Sequence, residues 1–289
     1  MRKFYIEKEY KGYTASKYLT EVQEYSSRSI RAIDIYLDGK KIKPNKKLRP
    51  YNKLLVYEKE KGTNIKAMEM DLDIVYEDQD LLIINKEPFI VVHPTLKKVD
   101  KTLANGIVYH FQKNNNLSIV PRFYNRLDMN TSGLIIITKN SYSQAYLQEK
   151  CEVKKCYKAI VKGIVKEDEF IIEEAIGRIG DSLRRELIDE EHGGQYAKTA
   201  VKVIERLEDE KLTLVECELF TGRTHQIRVH LSSKGHPILG DELYDVKDKR
   251  ANRQLLHAYK IQFKNPSTKQ IQNIEIDLPK DMKTLLVKE

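Results

Sequence analysis

The chain has 289 residues, of which 33% are charged and 40% are hydrophobic, so it can bury a full core in one large domain or two unequal domains. Its uninterrupted apolar runs reach only four or five residues, which excludes a membrane-spanning helix. Its first residues carry charges where a signal peptide needs an apolar region, and we expect a cytoplasmic protein. Cys151, Cys156 and Cys217 lack paired metal-ligand spacing, so we expect reduced thiols rather than disulfides or a zinc site.

The first sixty residues carry the pattern of two helices followed by a hairpin. A helix capped by Thr14 places four residues on one apolar face: Ala15, Tyr18, Leu19 and Val22. A second helix begins near Ser27 or Ser29 and ends at the Asp38-Gly39 turn. It buries three side chains: Ile30, Ile33 and Leu37. The pattern of residues 40–60 then predicts a hairpin that is interrupted by proline.

Positive charge is concentrated in this N-terminal part. Between Arg28 and Pro50, eight Lys or Arg residues stand against Asp34 and Asp38, which is a net +6 of the chain's formal +8. Such a run is typical of a solvated surface, or of a surface that displaces counterions from a nucleic-acid backbone.

The rest of the chain predicts a largely antiparallel sheet with flanking helices. A charged, Gly-containing stretch places a linker at residues 61–70, before a second domain at residues 71–289. The apolar runs and alternating patterns predict strands at residues 74–76, 81–84, 134–138, 155–163, 198–207 and 211–220, the first two as a hairpin. The helical patterns cover residues 102–113, 141–151 and 224–235, the last capped by Thr224. We predict no helix or strand for residues 164–197.

A charged loop leads into the most apolar of these strands. Arg126 and Asp128 flank Leu127, and Ser132-Gly133 predicts a tight turn before the run of Leu and Ile at residues 134–137. Where solvent is partly excluded, both charges need partners. From these residues alone, a structural ion pair is favoured over a catalytic site.

Other motifs argue against nucleotide-cofactor and metal chemistry. No GxGxxG or GxxxxGK[ST] string is present. His225, His230, His236 and His257 lack the HExxH spacing and an adjoining carboxylate pattern, so we expect no metal site.

Several strings resemble one family of enzymes. RLDMNTSGLIIITK resembles the catalytic motif of the RluA class of pseudouridine synthases, RNA-modifying enzymes with an essential aspartate in an H-R-L-D-x-x-T-S-G-L pattern. Three further strings resemble other signatures of the class: KCYKAIVKG, GRTHQIRVHLSSKGHPILGDELY and LLHAYKIQFKNPST. The order of elements in residues 1–60 resembles the αL-type RNA-binding domain that commonly precedes the catalytic domain. The resemblance implies an α+β pseudouridine synthase fold with a central catalytic cleft, plus a small N-terminal α/β RNA-binding domain.

The resemblance also implies roles for individual residues. Asp128 is the catalytic carboxylate, Arg228 keeps it ionised, and Tyr157 lies against the uracil ring. Four residues are implied in substrate binding: Arg126, Arg223, His225 and Gln226. The reaction breaks the N1–C1′ bond and joins C5 to C1′ without gain or loss of atoms, so we expect no cofactor and no metal. We also expect a monomeric enzyme.

Two departures from the family pattern are visible. Asn125 stands where the family has His, and an amide cannot carry a proton charge near neutrality. Glu87 and Phe89 replace Pro and Gly of the family's N-K-P-x-G-x-x-x-H-P segment, so Lys86 and His93 are left out of the predicted site.

Other functions compete with this interpretation. A metal-independent glycosidase or nucleosidase would use Asp128 in a similar way but would release free uracil. A non-catalytic RNA-binding assembly factor would need only the basic N-terminal part. For a synthase, a separate RNA-binding domain indicates large-subunit ribosomal RNA as substrate, with transfer RNA as the alternative.

Overall fold

A computed structural model describes residues 1–59, 62–93, 101–114 and 119–286 of the chain. Its strands are β1 (Arg2–Tyr5), β2 (Ile33–Leu37), β3 (Lys40–Ile42), β4 (Lys53–Glu58), β5 (Ile74–Glu77), β6 (Leu81–Lys86), β7 (Arg122–Phe123), β8 (Ser132–Thr138), β9 (Lys154–Lys162), β10 (Glu169–Glu173), β11 (Ile176–Gly177), β12 (Glu186–Leu187), β13 (Lys198–Leu207), β14 (Leu212–Leu219), β15 (Leu256–Lys264) and β16 (Ile271–Glu275). Its α-helices are α1 (Ala15–Glu21), α2 (Ser27–Arg31), α3 (Leu103–Lys113), α4 (Ser141–Glu149), α5 (Gln226–Ser233) and α6 (Lys280–Leu286). Two 3-10 turns cover Lys8–Tyr10 and Glu190–His192.

The N-terminal residues fold as a four-stranded sheet in the order β1-β4-β2-β3, with α1 and α2 packed near each other. The Thr14 hydroxyl accepts the Lys17 amide hydrogen bond at the start of α1, so the predicted cap is confirmed. The second predicted helix is too long, because residues 33–37 form strand β2. The predicted hairpin is also wrong, because β3 and β4 both pair with β2 rather than with each other.

The N-terminal sheet is joined to the large sheet by a buried contact. Arg2 forms an ion pair with Asp80, whose side chain is fully buried, and Arg2 also lies over the Tyr142 ring. The Tyr25 ring packs on the Tyr142 ring with their centroids 4.3 Å apart. The Glu58 carboxylate accepts hydrogen bonds from the first backbone amides of α4. One hydrophobic cluster therefore contains residues of both sheets.

The described part of the remaining chain forms a ten-stranded sheet with the main order β10-β13-β14-β9-β15-β8-β6-β5; β16 pairs with β15, and β7 with β8. Among its pairings within the described residues, only β15 with β8 is parallel, so the predicted largely antiparallel sheet is confirmed. Every residue of β8 is buried. The predicted turn at Ser132-Gly133 is wrong, because both residues belong to β8. Gly133 has φ +114, and a Cβ atom there would lie 2.3 Å from the Ala258 carbonyl oxygen of β15, so only glycine fits.

The segment after the N-terminal sheet is not a free tether in the described residues. Of the predicted linker at 61–70, residue 61 lies outside the described part. The Lys66 carbonyl accepts a hydrogen bond from the Asn105 side chain of α3, and the Met68 amide donates to the Asn105 carbonyl. Residues 164–197, for which no element was predicted, contain β10, β11 and β12. No helix in the described ranges is long and apolar enough to cross a membrane.

Candidate active site

A cleft of about 850 Å³ opens between the loop that precedes β8, strand β9 and the start of α5. This volume lies in the usual range of small-molecule pockets. All seven residues that the sequence singled out line it: Arg126, Asp128, Tyr157, Arg223, His225, Gln226 and Arg228. Residues from three distant parts of the chain therefore meet at one place.

The loop that carries Asp128 is held against β8 by Asn125. The Asn125 side chain accepts a hydrogen bond from the Ile136 amide at 2.8 Å and donates one to the Leu134 carbonyl at 3.3 Å. Leu127 is buried in the hydrophobic cluster beneath the cleft. The contacts of Asn125 need one donor and one acceptor but no charge, so an amide can make them where the family has His.

Asp128 and Arg228 form the centre of the site. One guanidinium nitrogen of Arg228 donates to the Asp128 carboxylate at 2.9 Å, while its other two nitrogens donate to both oxygens of Asp241 at 2.7 Å. The Asp241 side chain is 1% exposed, whereas the Asp128 side chain is 29% exposed, so only Asp128 opens to the cleft. Burial alone would lower the pKa of Arg228, but the two carboxylates outweigh it and raise that pKa. Arg228 is therefore a fixed positive charge at neutral pH.

His225 lies beside this pair at the start of α5. Its Nε2 is 3.8 Å from the Asp128 carboxylate, and its Nδ1 hydrogen-bonds to the Tyr244 hydroxyl at 2.9 Å. Burial lowers the pKa of His225, and Arg228 adds to that shift while Asp128 opposes it. His225 also adopts the left-handed conformation with φ 59. The helix begins at Gln226 after this residue, so the predicted cap at Thr224 is wrong.

Tyr157 forms part of the cleft wall from strand β9. Its side chain packs with Ala159 and Val161, which share its face of the strand, as the alternation predicted. Burial raises the pKa of the Tyr157 phenol well above its ordinary value, and the Asp128 carboxylate adds to the shift. The phenol is therefore protonated at neutral pH.

The other residues implied in substrate binding differ in how many of their hydrogen-bonding groups already have protein partners. Arg126 and Arg223 are exposed; Arg126 makes one long contact with the Thr224 hydroxyl at 3.5 Å, and Arg223 donates to the Tyr196 carbonyl. Gln226 is buried. Its amide donates to Lys198 and Thr199 and accepts from Thr221 and Arg223. Since all four hydrogen-bonding positions of this amide are occupied, its contacts fit a brace for the loop better than a substrate ligand.

Two buried residues outside the predicted site support it. Lys86 donates to the carbonyls of Glu87 and Ile90 at 2.8 and 3.1 Å and to that of Met129 at 3.0 Å, which ties its own loop to the Asp128 loop. Burial, together with Arg253, lowers the pKa of Lys86 to about 7. Asp241 is the other residue. Both stand in strings that resemble the family, Lys86 in Asn85-Lys86 and Asp241 in Gly240-Asp241, and this was the only signal in the sequence.

The loop after Lys86 keeps a backbone shape that glycine favours. Phe89, which replaces the glycine of the family pattern, adopts φ 64. This conformation costs an ordinary residue about 1–2 kcal/mol. The Phe89 side chain remains exposed, so the ring gains little burial in return.

No group of three or more His, Cys, Asp or Glu residues in the described part of the chain could hold a metal ion. The ionisable groups of the described residues that line the cleft are a carboxylate, guanidinium groups, an ammonium, an imidazole and phenols. Such groups can stabilise charge on a substrate and transfer protons.

Comparisons with known proteins agree on one family. The model of the family described as RNA pseudouridylate synthase matches residues 80–233. A Bacillus subtilis protein named "Uncharacterized RNA pseudouridine synthase YhcT" is 44% identical over 74% of this chain and 71% of its own length. A Neisseria meningitidis protein named "Ribosomal large subunit pseudouridine synthase D" is 39% identical over 75% of this chain and 61% of its own length.

Solved structures lead to the same family. The structure titled "Human RNA Pseudouridylate Synthase Domain Containing 1" has a TM-score of 0.58 and 27% identity, and the match covers 73% of this chain and 86% of that one. These similarities, together with the match of the family model over more than half of the chain, show that this chain belongs to the RNA pseudouridylate synthase family, whose members convert uridine in RNA to pseudouridine.

Proposed function

We propose that this enzyme isomerises uridine in the Asp128 cleft and that its substrate is large-subunit ribosomal RNA. The observation that carries the proposal is the arrangement of Asp128, Arg228 and Asp241, in which one exposed carboxylate is held by a buried guanidinium at the floor of a nucleotide-sized cleft. A carboxylate in that position can attack or stabilise C1′ as the glycosidic bond breaks.

Arg228 keeps Asp128 ionised and in place. Because Asp241 uses two of the three guanidinium nitrogens, the third can point only toward Asp128. The carboxylate therefore keeps one oxygen for Arg228 and has the other available for the sugar carbon. A fixed ion pair of this kind needs little rearrangement when charge develops at C1′.

Tyr157 packs against the uracil ring in this proposal. Its ring lines the same cleft as Asp128, and its phenol is protonated and uncharged at neutral pH. Stacking on an aromatic ring also allows the detached uracil to rotate while it stays bound, because the π-face has no directional hydrogen bond to break.

The target uridine must leave the RNA stack to reach Asp128, which costs a few kcal/mol. Arg126 lies at the exposed edge of the cleft, two residues before Asp128, and its guanidinium makes a single long hydrogen bond with the described part of the protein. It is therefore available to the RNA around the displaced nucleotide. Arg223 occupies a similar exposed position near the start of α5 and can contact the phosphate backbone.

The N-terminal residues 1–60 serve as an additional RNA-binding domain in this proposal, and residues 71–289 as the catalytic domain. Five basic side chains of residues 40–49 are exposed and have no carboxylate partner among the described residues: Lys40, Lys43, Lys46, Lys47 and Arg49. Closely spaced cations of this kind bind a phosphate backbone without reading its sequence.

Ribosomal RNA as substrate is supported by the names of relatives. Two of them, from Neisseria meningitidis and Buchnera aphidicola, are named for the large ribosomal subunit and are 39% and 34% identical to this chain.

Pseudouridine mapping tests this proposal. Ribosomal and transfer RNA from cells with and without the protein are compared position by position. Loss of one or more pseudouridines in large-subunit ribosomal RNA supports the proposed substrate. Loss confined to transfer RNA contradicts the proposed substrate, and restoration of the lost sites by a variant without the Asp128 carboxylate contradicts the proposed site.

A further inference from the structure

The charges that line the cleft are unbalanced. Among the described residues, its lining contains four cations, Arg126, Lys155, Arg223 and Arg228, and one carboxylate, Asp128. Arg228 is already neutralised by its contacts with two carboxylates. The other three cations have no ion pair within the described ranges, so the cleft attracts an anionic ligand.

Lys155 differs from the two arginines because it is partly buried. Its ammonium makes no hydrogen bond or ion pair with the described residues, and the nearest ring contact is with Tyr124, whose centroid is 5.9 Å away. Burial lowers the pKa of Lys155. Placing a cation in this environment without an acidic partner is unfavourable for folding, which is expected where a ligand supplies the missing negative charge.

The position of Lys155 relates it to the proposed base-binding residue. Lys155 and Tyr157 are two positions apart on strand β9, so their side chains project from the same face about 7 Å apart along the strand. Both line the cleft. A nucleotide whose base packs on Tyr157 would place its sugar-phosphate chain about 7 Å from that ring, which is where Lys155 lies.

We propose that Lys155 binds a phosphate of the RNA chain next to the displaced uridine. The ligand is thus a phosphodiester, held by a lysine that acts as a point charge. This inference rests on the proposed location of the reaction in the Asp128 cleft. It adds a backbone contact inside the cleft to the contacts that Arg126 and Arg223 make at its edge.

The test measures pseudouridine formation by chromatographic separation of the nucleosides after digestion of total RNA from cells that lack the protein, incubated with the enzyme at several KCl concentrations. We expect Lys155→Gln to reduce kcat/KM on the order of tenfold, mainly through KM. We also expect the plot of log kcat/KM against log salt concentration to become less steep by about 0.7, the loss of one phosphate contact. Lys155→Arg keeps the charge and should retain both values.

Lys154→Gln is the matched control, because Lys154 is the exposed neighbour on the other face of the same strand and does not line the cleft. It should leave kcat/KM and the salt dependence unchanged. Equal effects of the two Gln variants would contradict a local phosphate contact. A fall in activity of Lys155→Gln at unchanged salt dependence would also contradict it, since that result indicates a structural or base-binding role.

Thermal unfolding of each variant shows whether a loss reflects misfolding, and Lys155→Arg keeps the inference testable if Lys155→Gln does not fold. The two proposals fail in different ways. If the wild-type cleft is inactive, no variant forms pseudouridine. If only the present inference fails, the wild type forms pseudouridine and Lys155→Gln keeps the wild-type dependence of kcat/KM on salt concentration.

Discussion

The carboxylate of Asp128 and the guanidinium of Arg228 lie 2.9 Å apart, although 100 positions separate them in the sequence. The loop before β8 supplies the carboxylate, and the first turn of α5 supplies the cation. Asp241 fixes the guanidinium from the opposite side with two hydrogen bonds of 2.7 Å. The orientation of the proposed catalytic carboxylate therefore depends on a second, buried carboxylate.

Replacing Asp241 should reduce catalysis without reducing RNA binding. In Asp241→Asn the amide cannot accept both hydrogen bonds from Arg228, so the guanidinium is held less firmly against Asp128. We expect kcat to fall on the order of 10- to 100-fold while the Kd for RNA is unchanged. Glu242→Gln, a change at the exposed neighbouring carboxylate, is the matched control and should keep wild-type kcat. A fall in RNA affinity at normal kcat would contradict the role assigned to Asp241.

The basic N-terminal surface should contribute a salt-dependent share of RNA binding. Changing Lys40, Lys43 and Lys46 to Gln removes three exposed charges and should weaken binding to protein-free large-subunit ribosomal RNA. The plot of log affinity against log salt concentration should become less steep by about 0.7 to 0.9 for each lysine that contacts a phosphate. Three exposed lysines of the larger part, Lys166, Lys249 and Lys280, provide the control set. Equal effects of the two sets would show that only net charge matters.

These point changes test RNA binding better than deletion of residues 1–60. Deletion would remove Arg2 and leave the buried Asp80 carboxylate without its cation, and it would expose Tyr142 of the shared core. A deleted protein could lose activity for that reason alone.

Phe89→Gly should stabilise the fold. Glycine adopts φ 64 without the steric cost of a Cβ atom, and removing an exposed ring loses little buried area. We expect a gain of about 1 kcal/mol in the free energy of unfolding, measured in urea. Phe89→Ala removes the ring but keeps the Cβ atom, so it should not show this gain. If both variants are destabilised, the Phe89 ring makes a contribution that its exposure does not indicate.

His257 should make the protein less stable in mild acid. Its two ring nitrogens hydrogen-bond to Ser132 and to the Asp277 carbonyl, and burial together with Arg253 lowers its pKa from 6.5 to about 4. Between these values the unfolded chain binds the proton more readily, so stability falls as the pH decreases from 6.5 to 4. The loss from this group is about 3 kcal/mol at most.

The comparison of wild type with His257→Gln isolates this contribution. The free energy of unfolding of the variant should depend less on pH between 6.5 and 4, since glutamine does not titrate. Parallel pH profiles of the two proteins would show that His257 is protonated in the folded state at the same pH as in the unfolded chain.

Local patterns in the sequence predicted many elements correctly. The hairpin of β5 and β6, helix α3 and strand β9 follow from apolar periodicity and turn residues that lie within each segment. Residues 33–37 were misassigned because Ile33 and Leu37 fit a helical face that includes Ile30, while Ile33, Ile35 and Leu37 fit a strand equally well. Pairing with β4, some twenty residues later, decides between the two, and no local pattern contains that information.

In the candidate site too, local strings identified residues, whereas contacts between distant residues could not be predicted. All seven residues predicted from the strings that resemble the family line one cleft. The contacts that these residues make could not be predicted from the sequence. Asp241 was missed because its importance depends on Arg228, and Lys86 was left out because its neighbours depart from the family pattern. Gln226 was placed among substrate ligands, whereas its amide is fully occupied by protein groups.

The Asp128→Asn variant tests the central claim most directly. This change removes one charge and keeps the size of the side chain and its contact with Arg228, so the fold and the RNA affinity should persist. Pseudouridine is measured after incubation of wild type and variant with total RNA from cells that lack the protein. The wild type should form pseudouridine and the variant none, at equal RNA binding; product formation by the variant at the wild-type rate would contradict the assignment of Asp128 as the catalytic residue.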